Sequence, residues 1–209
     1  MAASTETSRT RVPRAQRQAQ MLEVAERVFA ARGWQAATMD EIAELVGVTK
    51  PLIYDYFGSK EGLFAATIER ARGQLLAALI RAWDTDPEVD VRQRVERVVI
   101  AFFRFIDDHE QAFTLLRTEG AVIGAETSAS VERIRQQTAK AFADGMRTDP
   151  QFAAVSATRL TGMAEILIGG CERLAVWRAE QHRMTPAVAA ELVMATLWEG
   201  LASVAGAAP

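Results

Sequence analysis

The sequence is poor in the residue types on which several classes of protein depend. Cys171 is its one cysteine, so no internal disulfide can form and a disulfide-stapled secreted scaffold is excluded. Its two histidines, His109 and His182, lie far apart in sequence and at no metal-ligand spacing with each other or with Cys171. We therefore predict neither a metal site nor a bound cofactor.

Long apolar runs are also missing. No window holds 18 consecutive apolar residues, and the opening MAASTETSRTRVPR lacks the apolar core of a signal peptide. We expect neither a membrane span nor an export signal. Together with the single cysteine, this predicts a cytoplasmic protein without a membrane partner.

Alternating Val, Ile and Tyr stretches are absent too, whereas apolar residues recur at spacings of three and four along nearly the whole chain. This periodicity predicts an all-α fold. With 49% hydrophobic residues, 24% charged residues and a net charge of -3 over 209 residues, the composition is that of a globular protein with a core.

Positive charge is concentrated at the front of the chain. Up to residue 17 there are four arginines, Arg9, Arg11, Arg14 and Arg17, against one acid, Glu6. The pI near 5.6 argues against a protein that is basic over its whole surface, as a protein that coats nucleic acid would be. Positive charge that could bind phosphate is therefore local. Residues 1–12, polar and small, are predicted to form a disordered basic arm.

Turn and capping residues divide the rest of the chain into helices. Gly33, Gly47 and Gly58 are expected to end the first three helices, and Thr38-Met39-Asp40-Glu41 has the pattern of a reciprocal capping box. The sequence predicts nine helices, at about 13–32, 39–46, 50–57, 60–83, 91–108, 111–119, 131–146, 152–180 and 186–205.

Residues 39–57 have the spacing of a helix-turn-helix, with Gly47-Val48-Thr49 between two short helices. A glycine turn alone is weak evidence, because unrelated helical hairpins contain one. The second helix, however, is surrounded by hydrogen-bond donors that can reach phosphate: Thr49, Lys50, Tyr54, Tyr56, Ser59 and Lys60.

A longer pattern carries a family resemblance. The run Phe29-x3-Gly33-Trp34-x3-Thr38-Met39-x2-Ile42-Ala43-x3-Gly47-Val48-Thr49-Lys50-x2-Ile53-Tyr54-x-Tyr56-Phe57-x-Ser59-Lys60-Glu61-x-Leu63 resembles the DNA-binding domain of the tetracycline-repressor (TetR) family of bacterial transcription regulators. The resemblance covers residues 17 to 64. Beyond them it rests on chain length and on the number and order of helices.

The resemblance implies a helix-turn-helix DNA-binding domain at 13–58 and an effector-binding and dimerisation domain at 59–209. It implies that the recognition helix enters the major groove, that tyrosines and a lysine bind phosphates, and that two flanking residues contact the DNA backbone. The corresponding residues are Thr49, Lys50, Pro51 and Leu52 for the groove, Tyr54, Tyr56 and Lys60 for phosphates, and Trp34 and Thr38 for the flank.

Some positions depart from this pattern or admit two interpretations. Tyr56 stands where the family often has histidine, and Asp55 places an acid near DNA. Asp40 could select a cytosine amino group or serve as a carboxylate at a helix N-terminus, and we favour the second. Ile53 and Phe57 are expected in the core, whereas Tyr54 is expected at DNA. The arm is either a solvated tail or a segment that reaches the duplex.

Aromatic residues in the middle of the chain point to a ligand cavity. The phenylalanines at 102, 103 and 105 leave their helix in different directions, so this helix has contacts on more than one side. We predict an apolar or amphipathic effector between the helices that begin at 91, 131 and 152. The candidate lining residues are Phe102, Phe105, Phe113, Leu116, Phe142, Met146, Met163 and Trp177, with polar anchors at Arg104, Arg117, Glu119, Thr138 and Glu165.

The last two helices are apolar around most of their circumference, which requires burial on two sides. One neighbouring helix cannot cover such breadth, so a twofold contact with a second copy is expected. The candidate dimerisation residues are Ile166, Gly170, Leu192, Leu197 and Leu201.

No phosphate-binding glycine loop, serine elbow or paired catalytic constellation occurs, so an enzyme is not expected. The sequence predicts a homodimeric, ligand-responsive transcription regulator: a repressor that a small effector releases from a palindromic double-stranded DNA operator. The alternatives are a helical binding or scaffolding module with an architectural helix-turn-helix, and an activator of the same family.

Overall fold

The computed structural model describes residues 13–84, 89–122, 125–181, 184–198 and 200, except for the side chains at 117–122, 125–134 and 181. The described part is helical and contains no strand. Its helices are α1 (Arg14–Ala36), α2 (Met39–Val46), α3 (Lys50–Phe57), α4 (Lys60–Trp83), α5 (Val91–Asp108), α6 (Glu110–Val122), α7 (Ala125–Met146), α8 (Ala157–Gln181) and α9 (Pro186–Val193), the last followed by a π-helical turn (Met194–Trp198).

Two predicted helix starts are wrong. Residues 125–130, predicted as a loop, begin α7, because Ala and Glu after Gly124 favour helix and nothing there breaks it. Residues 152–156, predicted in α8, form turns in which the Phe152 amide donates to the Asp149 carbonyl at 3.0 Å. Phe152 and Val155 are buried at helical spacing, so they imitate a helix in the sequence pattern. The actual start signal is Ser156, whose hydroxyl accepts from the Arg159 amide.

The predicted end of the last helix at residue 205 lies outside the described residues. Other boundaries are confirmed within a few residues. Gly33 has φ 72 and interrupts the helical conformation near the end of α1, and Gly47 has φ 75 in the left-handed region that a side chain rarely adopts.

The chain divides into two compact units, Met1–Thr67 and Ile68–Pro209, with the division inside α4. In the first unit α1, α2, α3 and the start of α4 pack around a small core. Phe29, Ile42, Ile53 and Leu63 are fully buried, which confirms the core assignment of Ile53. Phe57 is only half-buried.

In the second unit α5 packs against α8 and α9, and α7 packs against α8. Val95 and Phe103 of α5 lie in the core with Leu160 and Ala175 of α8. The apolar stripe along α5 is therefore what holds this helix in the middle of the unit.

Arg178 fixes the junction between these helices although it is almost fully buried. Its guanidinium makes a bidentate ion pair with Asp107 of α5 and donates to the carbonyls of Phe103 and Met184. Both Nη groups of this buried guanidinium are paired in this way, whereas its buried Nε has no hydrogen-bond partner among the described residues. The contact ties α8 to the end of α5 and to the segment that precedes α9.

Candidate DNA-binding surface and effector cavity

The turn of the helix-turn-helix is built as its sequence predicts. The Thr38 hydroxyl accepts from the Glu41 amide at 3.1 Å and caps α2. The expected return bond from the Glu41 carboxylate is replaced by a contact with Nε of Arg32 at 3.3 Å. At the other end of α2 the Gly47 amide donates to the carbonyls of Ala43 and Glu44, so the chain turns sharply into α3.

The start of α3 presents side chains that the first unit does not use. Thr49 occupies the N-cap position, yet its hydroxyl makes no cap hydrogen bond and is exposed. Pro51 is exposed in the first turn, where its missing N–H costs nothing. Leu52 and Tyr54 are 36% and 40% exposed beside them. The sequence predicts all four at the DNA interface, and the fold leaves them open to a partner.

Lys50 is held at the same end of α3 by an acid. Its Nζ lies 2.8 Å from Oδ2 of Asp40 on α2, and this hydrogen bond and charge raise the pKa of Lys50 above its usual value. Asp40 therefore has a role that neither sequence interpretation included: it binds the lysine of the recognition helix. The helix N-terminal position of Asp40, favoured from the sequence, is also present.

Tyr56 is half-buried and lies beneath an arginine of α1. The guanidinium carbon of Arg14 sits 4.4 Å from the centroid of the Tyr56 ring, and Nη1 of Arg14 lies 3.7 Å from Asp55. In the sequence Arg14 belongs with the arginines of the arm, and only the fold shows that it joins the α3 surface. The arm itself, residues 1–12, lies outside the described residues.

Lys60 packs on the ring of Trp34, which makes a second cation–π pair in the first unit. Nζ of Lys60 lies 4.6 Å from the Trp34 ring centroid and 3.5 Å from the Gln35 carbonyl. Trp34 is half-buried because its ring packs on Phe64, with centroids 5.0 Å apart. The sequence predicts separate DNA contacts for the two residues, and the structure brings them together.

The second unit contains a cavity of about 90 Å³ between α4, α5, α7 and α8. The three helices predicted to surround an effector are among its walls, and α4 adds a fourth that the sequence did not indicate. Its lining is mainly apolar, with polar side chains from three helices: Leu75, Leu79, Val98, Val99, Phe102, Phe142, Leu167, Ile168 and Cys171, with Arg72, Arg135, Thr138 and Glu172.

A second hollow of about 190 Å³ adjoins the first. The two share Leu79, Val98, Thr138 and Phe142 in their linings, and the second extends to Trp83 at the end of α4. We call the two together the effector cavity.

Charged and polarisable groups occupy one part of the lining. Arg135 forms ion pairs with Glu165 at 2.7 Å and with Glu172 at 4.0 Å. Burial, with a smaller effect of Glu172, raises the pKa of Cys171 to about 12, so its thiol stays protonated and acts as a small apolar wall.

The structure does not bring all predicted pocket residues together. Phe102, Phe142 and Thr138 line the effector cavity, and Glu165 reaches it through Arg135. Met146 and Met163 lie in the packed core, Leu116 is half-buried elsewhere, and Trp177 is 44% exposed on α8. Phe105, Arg104 and Phe113 line other surface depressions. The side chains of Arg117 and Glu119 lie outside the described set.

Large apolar side chains are exposed on both α8 and α9, and we call them the α8–α9 face. Ile166 and Trp177 on α8 are 61% and 44% exposed, and Val188 and Leu192 on α9 are 49% and 42% exposed. The two residues on α8 are 11 positions apart and the two on α9 are 4 positions apart, so each pair lies on one side of its helix. Trp177 and Val188 were not assigned to an interface from sequence, although the spacing 166–170–173–177 was visible there.

Two predicted interface residues, Gly170 and Leu197, lie next to each other within the chain. A Cβ added to Gly170 would lie 3.2 Å from Cδ1 of Leu197, so the last helical segment packs closely on α8 at this point. Leu197 is half-buried in this contact. Leu201 lies outside the described residues.

Membrane spans and metal sites are absent from the described residues. No helix among them is long and apolar enough to cross a membrane. No group of three histidine, cysteine, aspartate or glutamate side chains in that part of the chain is placed to hold a metal ion.

Comparison with known proteins gives matches in both units. Residues 21–67 match the family model described as bacterial regulatory proteins, tetR family, and residues 91–200 match the tetracyclin repressor-like C-terminal domain. Over 195 residues the chain is 31% identical to the HTH-type transcriptional activator FasR of Mycolicibacterium smegmatis, covering 93% of this chain and 87% of that protein.

A shorter match and a solved structure agree with this. The HTH-type transcriptional repressor BepR of Brucella suis is 29% identical over 130 residues, 61% of this chain and 62% of that protein. The crystal structure of a TetR-like transcriptional regulator from Rhodococcus sp. RHA1 superposes with a TM-score of 0.67 at 31% identity, covering 92% of this chain and 99% of that one. The chain belongs to the TetR family of DNA-binding, ligand-responsive transcription regulators.

Proposed function

We propose that the protein is a homodimeric repressor that binds a palindromic operator through α2 and α3 and releases it when an apolar or amphipathic effector enters the effector cavity. The observation that carries the DNA part is the exposed start of α3. Thr49, Leu52 and Tyr54 have no structural task in the first unit that would explain their exposure together. Contact of these side chains with base edges and phosphates would explain their exposure in the free protein.

The charges around α3 support the same surface. Lys50, Lys60 and Arg14 lie at its edges, and each is held by contacts within the first unit. Held cations lose less side-chain freedom when they meet phosphate than free ones do. Thr38, which the family resemblance implies as a contact to the DNA backbone, is exposed at the start of α2.

The size of the effector cavity supports a coupled release mechanism. A volume of about 90 Å³ holds roughly three water molecules, whereas drug-sized ligands occupy about 300 to 1,000 Å³. With the adjoining hollow the volume still lies just below this range, so a larger ligand would have to displace the walls. Leu75, Leu79 and Trp83 of those walls lie on α4, whose first residue is Lys60.

An effector can shift the DNA-competent population only by its different affinity for the two states. A ligand that widens the cavity binds better to the state in which α4 has moved. Because Lys60 begins this helix, the displacement changes the DNA-binding surface. Operator affinity then falls as effector binds.

Dimerisation completes the proposal. The exposed face of Ile166, Trp177, Val188 and Leu192 suits a twofold contact, because each of these side chains would be covered by the same face of a second copy. A dimer sets two recognition helices about 34 to 36 Å apart, one turn of DNA. The protein acts where bacterial DNA lies, in the cytoplasm, and its role is regulatory rather than enzymatic.

The DNA proposal is tested by fluorescence anisotropy with the intergenic DNA beside the protein's own gene. We expect retention that is sequence-specific and weakens with salt, and a drop in affinity of at least about tenfold for Thr49→Ala combined with Tyr54→Phe. Gln137→Ala, an exposed change on α7, is the control. Absence of specific binding at low salt would favour the scaffolding alternative.

The effector proposal is tested by a thermal-shift screen of apolar and amphipathic compounds, followed by operator titrations with each stabilising compound. Ala141→Leu fills the hollow beside Phe142 and should abolish the stabilisation and the release of DNA. Ala157→Leu makes the same change at an exposed position on α8 and should alter neither. Equal responses of the two variants would exclude the cavity.

An activator is the second candidate, because the relative matched over 93% of the chain is named a transcriptional activator. The two functions share the operator, the dimer and the cavity. Deletion of the gene that encodes this protein distinguishes them. The transcript level of the adjacent genes should rise if the protein is a repressor and fall if it is an activator.

A further inference from the structure

We propose that the second unit has an additional ligand site: an arginine-lined groove between α4 and α5 that binds an organic dianion carrying an apolar group. The groove has a volume of about 670 Å³, within the range of about 300 to 1,000 Å³ found for small-molecule sites. It is distinct from the effector cavity, since the two have no lining residue in common.

The helix α5 separates the two sites. Val98, Val99 and Phe102 line the effector cavity, whereas Ala101, Arg104 and Phe105 line the groove. Phe103, between them, lies in the core. The three phenylalanines that leave this helix in different directions thus face three different environments. The proposed function assigns no role to the groove.

Cations dominate the polar lining. It consists of Gln74, Arg81, Arg97, Arg104, Asp108 and His109. Counting His109 as neutral, three arginines against one carboxylate leave two net positive charges. On α5, Arg97, Ala101, Arg104 and Asp108 follow at spacings of four, three and four, so they lie along one side of the helix.

Two of these arginines have no partner within the described part of the chain. Arg97 and Arg104 make no hydrogen bond or ion pair there, whereas Arg92 on the same helix pairs with Glu96 at 3.7 Å. Arg97 and Arg104 are about 10 Å apart along the helix axis. Long guanidinium side chains at this distance can converge on one phosphate or two neighbouring anionic groups.

The floor of the groove is apolar. Its apolar lining consists of Ala77, Ala78, Ala82, Ala101 and Ile100, together with Phe105, which is nearly buried. The His109 ring packs on Phe105, with centroids 4.3 Å apart, and extends this floor. A bare inorganic anion would leave it uncovered, so the complementary ligand has an apolar body next to its charges.

The experiment uses 1-naphthyl phosphate as the probe and its uncharged analogue 1-naphthol for comparison, with binding followed by isothermal titration on the full chain. R97Q/R104Q should weaken naphthyl phosphate binding by about tenfold or more for each charge-assisted hydrogen bond that the substitutions remove. The same double variant should leave 1-naphthol binding within about twofold, because the apolar floor is intact.

R92Q/R147Q is the matched control, because it removes two exposed arginines outside the groove and changes the net charge equally. We expect it to bind naphthyl phosphate as the wild type does. Equal weakening in both double variants would show a general charge effect and overturn the site, as would a wild type that does not bind the probe.

Two further measurements separate this site from other uses of the surface. Ala141→Leu, which fills the effector cavity, should leave naphthyl phosphate affinity unchanged, and a drop in affinity there would place the probe in that cavity instead. Sedimentation of R97Q/R104Q should match the wild type. A changed oligomeric state would mean that the groove is a contact between protein chains and would also overturn the proposal.

Discussion

The two units carry their function in opposite ways. In the first unit the candidate residues are exposed and polar or aromatic, and they surround the start of α3. In the second unit the effector cavity is mainly apolar, and its lining residues are part of the packing of four helices. DNA presents the same phosphates to every family member, whereas an effector can have any shape.

This difference determines how a substitution acts. On the proposed function, a change at Thr49 or Lys50 would remove an interaction with DNA and leave the core of the first unit intact, because neither side chain is buried. A change at Phe102 or Leu167 would remove an interaction with the proposed effector together with a part of the helix packing. Function and stability are therefore separable in the first unit and joined in the second.

The largest effect on DNA binding is expected from a place that does not contact DNA. Ile166→Glu with Leu192→Glu puts two carboxylates into the proposed twofold contact, where they must be desolvated or hold the copies apart. We expect monomers in sedimentation velocity and a decrease in operator affinity of about 10² to 10⁴, since the half-sites no longer act as one linked site.

Gln137→Glu with Gln151→Glu is the control for that variant, because both side chains are exposed, lie outside the α8–α9 face and gain the same two charges. It should remain dimeric. An intact dimer in the Ile166 and Leu192 double variant would remove this face from the assembly.

The first unit could be predicted closely from sequence because its signals are local. Gly47 demands a left-handed turn, Thr38 caps α2, and the spacing of Thr49 and Tyr54 places them at the start and middle of a two-turn helix. What sequence could not show is pairing between elements. The ion pair of Lys50 with Asp40 depends on how α2 and α3 cross.

In the second unit the helices were predictable and the cavity was not. Phe102, Met163 and Trp177 all lie on helices with suitable apolar spacing, yet one lines the cavity, one is core and one is exposed. The rotation of each helix about its axis decides among these outcomes, and packing between distant segments sets that rotation. Leu79 of α4 was missed for the same reason.

The next largest effect concerns stability in the second unit. A Cβ at Gly145 would lie 2.7 Å from Cζ2 of Trp83, so Gly145→Ala should push the end of α4 from α7 and lower the free energy of unfolding by about 1 to 3 kcal/mol. Calorimetry should show a melting temperature several degrees lower. Gly162→Ala, with no atom near its added Cβ, should be neutral or stabilising.

A smaller effect, on DNA affinity, is expected at the pair of Lys60 and Trp34. Lys60→Ala should weaken binding to all DNA sequences alike and reduce the slope of log affinity against log salt by up to about 0.9, the value for one phosphate that is no longer neutralised. Lys140→Ala on α7 is the control and should leave the slope unchanged. A normal slope in the Lys60 variant would assign this lysine to holding Trp34 only.

The smallest effect is expected at Asp40. Its carboxylate holds Nζ of Lys50 at 2.8 Å and competes with DNA phosphates for it. Asp40→Asn removes this charge, so Lys50 becomes available to any phosphate, and affinity for random DNA should rise severalfold with a steeper salt dependence. Affinity for the operator should rise less, because in the specific complex Lys50 is expected to contact a base rather than a phosphate. The ratio of specific to non-specific affinity should therefore fall. Glu44→Gln removes an equal charge from an exposed position one turn further along α2 and is the matched control. If both variants raise the affinity for random DNA equally, Asp40 acts only through its charge, and the ion pair with Lys50 contributes nothing to specificity.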